Sequence, residues 1–216
     1  MEKFKEQIAE IAQILCENSR QSKIKNFREL AKIALKNQIV FIGDSITDNF
    51  PLDEIFPDVL IYNRGIVGDE TKHVLERLED SVYNLLPHKV FLCIGTNDLE
   101  TGVSHDTIVE NIFKIVLDIR ETLLDCKIFL ISLFPVTDAV KNANGLPGKG
   151  SRENADIEKI NERLSKIKEA TFIDVAKYFK DENGEMKPEY TTDGLHLNIE
   201  GYILYRKAIK EAVYDR

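Results

Sequence analysis

Five short apolar runs, none of which alternates with polar residues, limit the folds open to this chain more than any other feature. Strands buried on both faces have this composition, and they occur mainly in parallel sheets that helices cover. Amphipathic stripes with helical spacing lie between the runs, so strand and helix alternate. This order predicts an α/β doubly wound fold with a five-stranded parallel sheet. The predicted strands span 39–42, 59–62, 90–94, 128–134 and 171–175.

Four segments between and after these runs carry apolar residues three or four positions apart, which places those residues on one face of a helix. The chain has 216 residues and no linker rich in Pro, Gly or Ser, so we expect a single domain. The stripes comprise Val74, Leu75, Leu78, Val82 and Leu85; Ile108, Ile112, Ile115, Val116 and Ile119; Ile157, Ile160, Leu164 and Ile167; and Tyr202, Ile203 and Ile209.

Residues 1–36 precede the first predicted strand and contain two further amphipathic segments. We predict that they form a helical extension packed on the core, which residues 37–216 provide. An apolar stripe at helical spacing usually faces a core, although these segments could instead roof a site or pack on a second subunit in a homodimer. Their apolar faces carry Phe4, Ile8, Ile11 and Leu15 in the first segment, and Ile24, Phe27, Leu30 and Ile33 in the second.

Charge and the length of the apolar runs exclude several classes of partner. The chain has 29 basic and 37 acidic side chains, a formal net charge of −8, which would repel nucleic acids and anionic membrane surfaces. The longest apolar runs are far shorter than the ~20 residues of a membrane-spanning helix. Charged residues also interrupt the N-terminal segment where a secretory signal needs an apolar run. We therefore expect a cytoplasmic protein with no nucleic acid partner and no membrane insertion.

The cysteines and histidines predict neither a disulfide nor a metal site. Cys16, Cys93 and Cys126 are odd in number and lack CxxC spacing, as is usual in a reducing compartment. We expect each to be a buried, unreactive thiol. The four histidines show no HxxxH or HExxH spacing, so we predict no metal and no other cofactor.

Polar residues gather at the ends of the predicted strands. Ligands bind at the carboxyl ends of the strands in open α/β sheets, so the residues after each run are the first candidates for a site. Four segments that are distant in sequence should meet at this edge of the sheet. They are GDSIT at 43–47, NRGIVGD at 63–69, GTND at 95–98 and DGLH at 193–196.

Together these segments supply the groups that acyl transfer by a serine requires. A serine hydroxyl becomes nucleophilic when an imidazole held by a carboxylate takes its proton, and Ser45, His196 and Asp193 can fill these three roles. The oxyanion of the tetrahedral intermediate needs fixed donors. The backbone N–H groups of Ser45 and Gly68 and the side-chain amide of Asn97 can provide them.

Structural roles compete with these assignments. Ser45 could merely cap the helix after the first strand, and Asn97 could stabilise its own loop. Other histidines could act as the base, but only His196 follows the last strand with a carboxylate three residues earlier. The competing histidines are His73, which we expect on a solvated helix face, His88 and His105.

Three more residues are candidates for substrate binding. Asp44 precedes the serine, although orienting the turn is the more ordinary role for an aspartate there. Arg152 and Asn154 follow the fourth strand at the same edge of the sheet, although an arginine in a basic loop is more often simply solvated.

The four segments, in this order, resemble the conserved blocks of the SGNH (GDSL-type) hydrolase superfamily over roughly residues 38–212. Ile46 stands where the family has leucine after its serine, a mild apolar change. The run RGIVGDETKHVLERL and the YTTDGLHLN segment look most like bacterial relatives of the platelet-activating-factor acetylhydrolase catalytic subunits. The family's nucleophile, oxyanion-hole glycine and asparagine, aspartate and histidine fall on Ser45, Gly68, Asn97, Asp193 and His196.

This resemblance implies more than the residues alone. It implies a flavodoxin-like three-layer fold, with residues 37–216 as the hydrolase domain, and an esterase mechanism that uses no metal. It further implies that the substrates are acyl esters of lipids, sugars or other small alcohols. The shallow site typical of the family favours short acyl groups, acetyl first.

Two functions of other classes remain open from the sequence. A phosphoryl-transfer protein could use Asp44 as the acceptor after the first strand, although Ile46 stands where the Asp-x-Asp-x-Thr pattern has its second carboxylate. A non-catalytic binding module could use the same pocket, or the N-terminal helices, to recognise a partner.

Overall fold

The computed structural model describes the backbone of residues 2–145 and 148–215, and the side chains of residue 11 and of residues 14–145 and 148–215. Five strands form one parallel sheet in the order β2-β1-β3-β4-β5. This arrangement confirms the predicted α/β fold. The strands are β1 (Ile39–Gly43), β2 (Ile61–Gly65), β3 (Lys89–Cys93), β4 (Lys127–Ile131) and β5 (Thr171–Ile173).

Ten α-helices precede, connect and follow the strands in the described part of the chain. None of these helices combines the length and the apolar character that crossing a membrane requires. Two short 3₁₀ turns lie at Tyr83–Leu85 and Pro188–Tyr190. The helices are α1 (Glu2–Ala31), α2 (Ser45–Asp48), α3 (Leu52–Ile55), α4 (Thr71–Glu76), α5 (Leu78–Ser81), α6 (Thr96–Glu100), α7 (His105–Thr122), α8 (Asn154–Leu164), α9 (Ala176–Phe179) and α10 (Ile199–Tyr214).

Alternate residues of each strand face opposite sides of the sheet and enter two separate cores. Val40 and Ile42 of β1 pack with apolar residues of α4, α5, α7 and α8. Ile39 and Phe41 of the same strand pack with residues of α2, α3, α9 and α10. Helices therefore cover both faces of the sheet, which gives three layers and explains why the central strands show no polar alternation.

A row of three phenylalanines crosses the middle of the sheet on one face. Parallel register sets Phe41 beside Phe91, and Phe91 beside Phe129. The ring centroids lie 4.5 Å apart in the first pair and 4.7 Å apart in the second, and both pairs are stacked. Phe91 is only 1% exposed and contacts a ring on either side, so it is central to this core.

All five strands end at other residues than the sequence predicts, and the differences are largest in the second and fourth strands. The apolar run at 59–62 lies only partly in β2, which continues through Asn63 and Arg64 to Gly65. Polar residues are accommodated there because β2 is an edge strand, and the Asn63 amide donates to the carbonyl of Thr47 at 2.7 Å. The run at 128–134 extends beyond β4, which ends at Ile131.

The apolar stripe from Val74 to Leu85 does not form one helix. It is divided into α4, α5 and a 3₁₀ turn, and the first break falls at Arg77, with φ −119° and ψ 14°. The Arg77 guanidinium turns inward and donates to the carbonyl of Gly43 at 3.0 Å. The apolar positions of the stripe predict one uninterrupted helix and give no indication of this break.

The two amphipathic segments before β1 form one continuous helix, α1, rather than two. At its C-terminal end, Phe27 and Ala31 are buried. Arg28 donates from Nε and Nη2 to the two carboxylate oxygens of Asp80, at 2.7 and 2.8 Å. Farther toward the N-terminus, Leu15 and its neighbours Ile11 and Ile14 are exposed. Phe4 and Ile8 of the predicted apolar face lie outside the described side chains.

The prediction of three buried cysteines is confirmed for two of them. Cys93 and Cys126 are buried free thiols, and burial raises the pKa of Cys126 to about 12. For Cys16 the prediction is wrong, because this residue lies on the exposed part of α1.

The phenylalanine row generates a test of the core. We expect Phe91→Ala to lower the free energy of unfolding by about 3–5 kcal/mol, because it removes a buried ring and leaves a cavity between two others. Phe113→Ala, at a position 37% exposed on α7, is the matched control and should cost less than about 1 kcal/mol. Urea unfolding measures both. Equal losses in the two variants would contradict the central position of Phe91.

Candidate active site

Ser45 lies where β1 meets α2, at the carboxyl edge of the sheet. Asp44 is the N-cap of α2, and its carboxylate accepts the N–H of Ile46 at 2.9 Å. The capping role weighed for Ser45 therefore belongs to its neighbour, and the hydroxyl of Ser45 is directed elsewhere. Gly43 permits the tight turn, since a Cβ at this position would lie 2.1 Å from the carbonyl oxygen of Cys93.

The hydroxyl of Ser45 contacts the ring of His196, from the other end of the chain. Ser45 Oγ lies 3.0 Å from His196 Nε2, and His196 Nδ1 lies 2.7 Å from Asp193 Oδ2. A tight loop holds Asp193 and His196 together. In this loop Gly194 adopts φ +92°, and a Cβ there would lie 2.1 Å from the carbonyl oxygen of Thr137, so only glycine fits.

The carboxylate of Asp193 is prepared to hold the imidazole. Its Oδ1 accepts the backbone N–H groups of Leu195 and His196 at 3.0 and 2.8 Å, while Oδ2 accepts from the ring. Burial favours the neutral acid, but these hydrogen bonds outweigh it and hold the pKa of Asp193 below its ordinary value. A charged carboxylate at Nδ1 selects the tautomer whose Nε2 can accept the proton of Ser45.

The predicted oxyanion-hole residues Gly68 and Asn97 meet beside the same edge. Asn97 lies in the first turn of α6, and its Nδ2 donates to the carbonyl of Asp69 at 2.9 Å. Gly68, one residue earlier, adopts φ +78°. The turn that contains it is held against β1, because the N–H of Ile66 donates to the carbonyl of Gly43 at 3.1 Å.

A cleft of about 590 Å³ opens at the Ser45 and His196 side chains. Its other walls are mostly apolar, and Val67 and Ile199 are about half exposed at its surface. Among the described residues that line it, none is Asp, Glu, Lys or Arg. The lining comprises Ser45, Asn49, Pro51, Val67, Thr192, His196, Leu197, Asn198, Ile199 and Tyr202.

Comparison with known proteins decides the family. Residues 41–204 match the sequence profile of the GDSL-like lipase/acylhydrolase family. The chain belongs to this family. The resemblance seen in the four sequence segments is thereby confirmed, and the protein is a hydrolase that acts on esters.

Individual relatives cover the GDSL-like chain to different extents. Platelet-activating factor acetylhydrolase IB subunit alpha1 of Bos taurus is 29% identical over 170 residues, which are 76% of this chain and 70% of that protein. N-acylneuraminate cytidylyltransferase of Escherichia coli O18:K1:H7 is 30% identical over 181 residues, 82% of this chain. The match spans only 40% of that cytidylyltransferase.

Solved structures share the fold of this GDSL-like hydrolase. One from Streptococcus pneumonia, provisionally named a platelet activating factor, has a TM-score of 0.89 at 30% identity and covers 96% of this chain and 99% of that chain. The acetylxylan esterase Axe2 from Geobacillus stearothermophilus has a TM-score of 0.63 at 20% identity, with 86% of this chain and 97% of that chain covered. The likeness to Axe2 concerns the fold alone.

The three candidates for substrate binding make their contacts within the protein. Asp44 is 1% exposed and caps α2, which also leaves no accessible acceptor for the phosphoryl-transfer alternative. The side-chain amide of Asn154 accepts the N–H of Val136 at 2.8 Å and donates to the carbonyl of Val136 at 2.9 Å. Arg152 is 5% exposed and directs its guanidinium at protein oxygens, among them the side chain of Asn97 at 2.9 Å.

The other three histidines lie away from Ser45. His73 is half-buried rather than solvated, and its Nδ1 accepts the N–H of Glu70 at 3.0 Å. His88 Nδ1 lies 2.7 Å from the carbonyl oxygen of Asn37, before β3. His105 lies 3.4 Å from Asp156. Nor do His, Cys, Asp or Glu of the described residues form a group of three that could hold a metal ion.

Sequence reasoning missed a buried ion network behind the Gly68 turn of the GDSL-like site. Asp69 accepts from Arg77 Nε at Oδ2 and from Arg20 Nε at Oδ1, both at 2.7 Å. A charged residue inside the apolar stripe was the available signal for Arg77. Arg20 carries no such signal, because it lies on α1 and is 49 residues distant from its partner.

The buried carboxyl of Asp44 generates a test. Burial raises the pKa of Asp44 to about 7, against about 3.9 in an unfolded chain. The folded state then binds the proton more tightly, so the contribution of Asp44 to stability falls as the pH rises from about 4 to about 7. Asp44→Asn can still cap α2 and has no such loss. The free energy of unfolding of Asp44→Asn minus that of the wild type should therefore increase from pH 5 to pH 8. We expect this increase to exceed about 1 kcal/mol.

Urea unfolding at the two pH values measures this difference. Asp58→Asn, at an exposed position, controls for the removal of one carboxylate. An offset between Asp44→Asn and the wild type that is the same at pH 5 and pH 8 would contradict a raised pKa.

Proposed function

We propose that the protein is a serine carboxylic-ester hydrolase that removes short acyl groups, acetyl first, from a sugar, a lipid or another small alcohol. The contact between Ser45 Oγ and His196 Nε2 at 3.0 Å, with Asp193 behind the ring at 2.7 Å, is the observation that carries this proposal. A serine, an imidazole and a carboxylate in this order are the components of nucleophilic acyl transfer.

In the proposed reaction Ser45 Oγ attacks the carbonyl carbon of the ester while its proton passes to His196 Nε2. The carbonyl oxygen becomes an oxyanion that accepts from the N–H groups of Ser45 and Gly68 and from Asn97 Nδ2. Collapse of the tetrahedral intermediate breaks the bond to the alcohol, which leaves with the proton from His196. A water molecule then attacks the acyl-enzyme by the same steps and releases the carboxylic acid. Asp193 stabilises the imidazolium formed on the way.

The character of the cleft supports a neutral ester as the substrate. No charged Asp, Glu, Lys or Arg lines it among the described residues, and Val67 and Ile199 offer apolar surface at its mouth. A volume of about 590 Å³ is larger than an acetyl group needs, so the cleft has room for the alcohol as well. The name of one group of relatives, the platelet-activating factor acetylhydrolase subunits, is consistent with an acetyl ester.

Loss of the nucleophile should abolish turnover. We expect the wild type to hydrolyse p-nitrophenyl acetate faster than the butyrate or octanoate esters, and Ser45→Ala to lower kcat/KM for the acetate by at least about 10³-fold. Ser165→Ala, at an exposed position after α8, is the matched control and should keep full activity. Undiminished turnover by Ser45→Ala would refute the nucleophile. A folded wild type with no turnover of any ester would favour a binding module.

Loss of the oxyanion donor should act on the rate rather than on substrate binding. We expect Asn97→Ala to lower kcat by about 10²- to 10³-fold with little change in KM, because the oxyanion exists only in the transition state and the intermediate. Asn183→Ala, in an exposed turn, serves as the control. Steady-state kinetics with p-nitrophenyl acetate separates kcat from KM. A large rise in KM at constant kcat would instead assign Asn97 to ground-state binding.

A further inference from the structure

The side-chain amide of Asn97 is held from both ends. Its Nδ2 donates to the carbonyl of Asp69, and its Oδ1 accepts from Arg152 Nη2, both at 2.9 Å. A carbonyl oxygen can only accept, and a guanidinium can only donate. An amide turned by 180° would set its oxygen against the Asp69 carbonyl and its NH₂ against Arg152. The two contacts therefore permit one orientation of Asn97.

Arg152 can impose this orientation because its own guanidinium is fixed. Its Nε donates to the carbonyl of Thr96 at 2.8 Å, and its Nη1 donates to the carbonyl of Lys149 at 2.9 Å and contacts Glu100 at 3.2 Å. The residue is 5% exposed. A planar guanidinium that is hydrogen-bonded to three residues cannot rotate freely, so these contacts fix the position of Nη2.

We propose that Arg152 is the positioning residue of the oxyanion hole. It holds the amide of Asn97 so that the Nδ2 hydrogen not given to Asp69 is available to the oxyanion. Its positive charge on Oδ1 also draws electron density from the amide nitrogen and strengthens the N–H as a donor. This role rests on the proposed esterase function, and it replaces the expectation that Arg152 touches substrate.

A residue that acts only through Asn97 has a distinctive kinetic signature. Removing Arg152 should lower kcat and leave KM nearly unchanged, because the strengthened N–H binds the oxyanion, which is present in the transition state and the intermediate but not in the bound substrate. Once Asn97 has been truncated, removing Arg152 should have little further effect, since the two side chains act as one unit. A role in the general stability of the loop would instead lower activity by the same factor in both backgrounds.

The test is a double-mutant cycle with p-nitrophenyl acetate. We expect Arg152→Met to lower kcat by about 10- to 100-fold, below the full cost of losing the donor, with KM within about twofold. Arg152→Met combined with Asn97→Ala should be no more than about twofold slower than Asn97→Ala alone. The same factor in both backgrounds, or a kcat for Arg152→Met within about twofold of the wild type, would overturn the proposal.

Two further variants keep the result interpretable. Arg163→Met removes an arginine in the last turn of α8 that is paired with Asp106 at 2.8 Å. Within the described part of the chain this arginine forms no hydrogen bond with Arg152 or Asn97, so its removal should leave kcat and KM unchanged. Arg152→Lys retains the positive charge. Its single ammonium group cannot reproduce the geometry in which one guanidinium bonds both the carbonyl of Thr96 and the amide of Asn97. If Arg152→Met fails to fold in urea unfolding experiments, the cycle is carried out with Arg152→Lys, and the same criteria apply.

Affinity for a transition-state analogue gives a readout besides turnover. A trifluoromethyl ketone that adds to Ser45 presents an oxyanion, so its affinity should fall by the same factor as kcat/KM in Arg152→Met. Unchanged affinity would overturn the positioning role. Absence of Ser45-dependent turnover in the wild type would overturn the proposed function itself, whereas turnover that depends on Ser45 but is indifferent to Arg152 would overturn this inference alone.

Discussion

Parallel pairing of β1 with β2 and β3 is the constraint on which the site depends. The register places Gly43 level with Gly65 on one side and with Cys93 on the other, so three chain turns begin side by side. At Gly43 and Gly65 the neighbouring backbone is too close for a side chain, since a Cβ at Gly65 would lie 2.1 Å from the amide nitrogen of Asp48. The turns that carry Ser45 and the two residues proposed for the oxyanion hole, Gly68 and Asn97, are adjacent for this reason.

Buried charge holds these turns in place. Asp69 has no exposed surface and is bonded to two arginines, of which Arg77 reaches on to the carbonyl of Gly43 and Arg20 comes from α1. Buried ions are costly unless paired and hydrogen-bonded, so this cluster favours one arrangement of the Gly68 turn. It also links α1 to the active site. Through Arg20, α1 contributes directly to the buried charge that holds the Gly68 turn.

The extent to which the sequence predicts this structure depends on how local each signal is. Continuous apolar runs in the sequence predict the strands directly. Short motifs next to the strand ends predict Ser45 and the Asp193–His196 pair. By contrast, the break at Arg77 and the orientation of Arg152 depend on partners 34 and 55 residues away. An arginine in a basic loop is indistinguishable in sequence from a solvated one. Only the fold reveals that its guanidinium makes four hydrogen bonds to protein oxygens.

We propose that Ser45, His196, Gly68 and Asn97 act together on one carbonyl group. A crystal structure of the protein after reaction with a p-nitrophenyl phosphonate tests this proposal. We expect phosphorus bonded to Ser45 Oγ, with the phosphonyl oxygen about 3 Å from the backbone nitrogen of Gly68 and from Asn97 Nδ2. A phosphonate attached to any other residue, or a phosphonyl oxygen directed away from both donors, would contradict it.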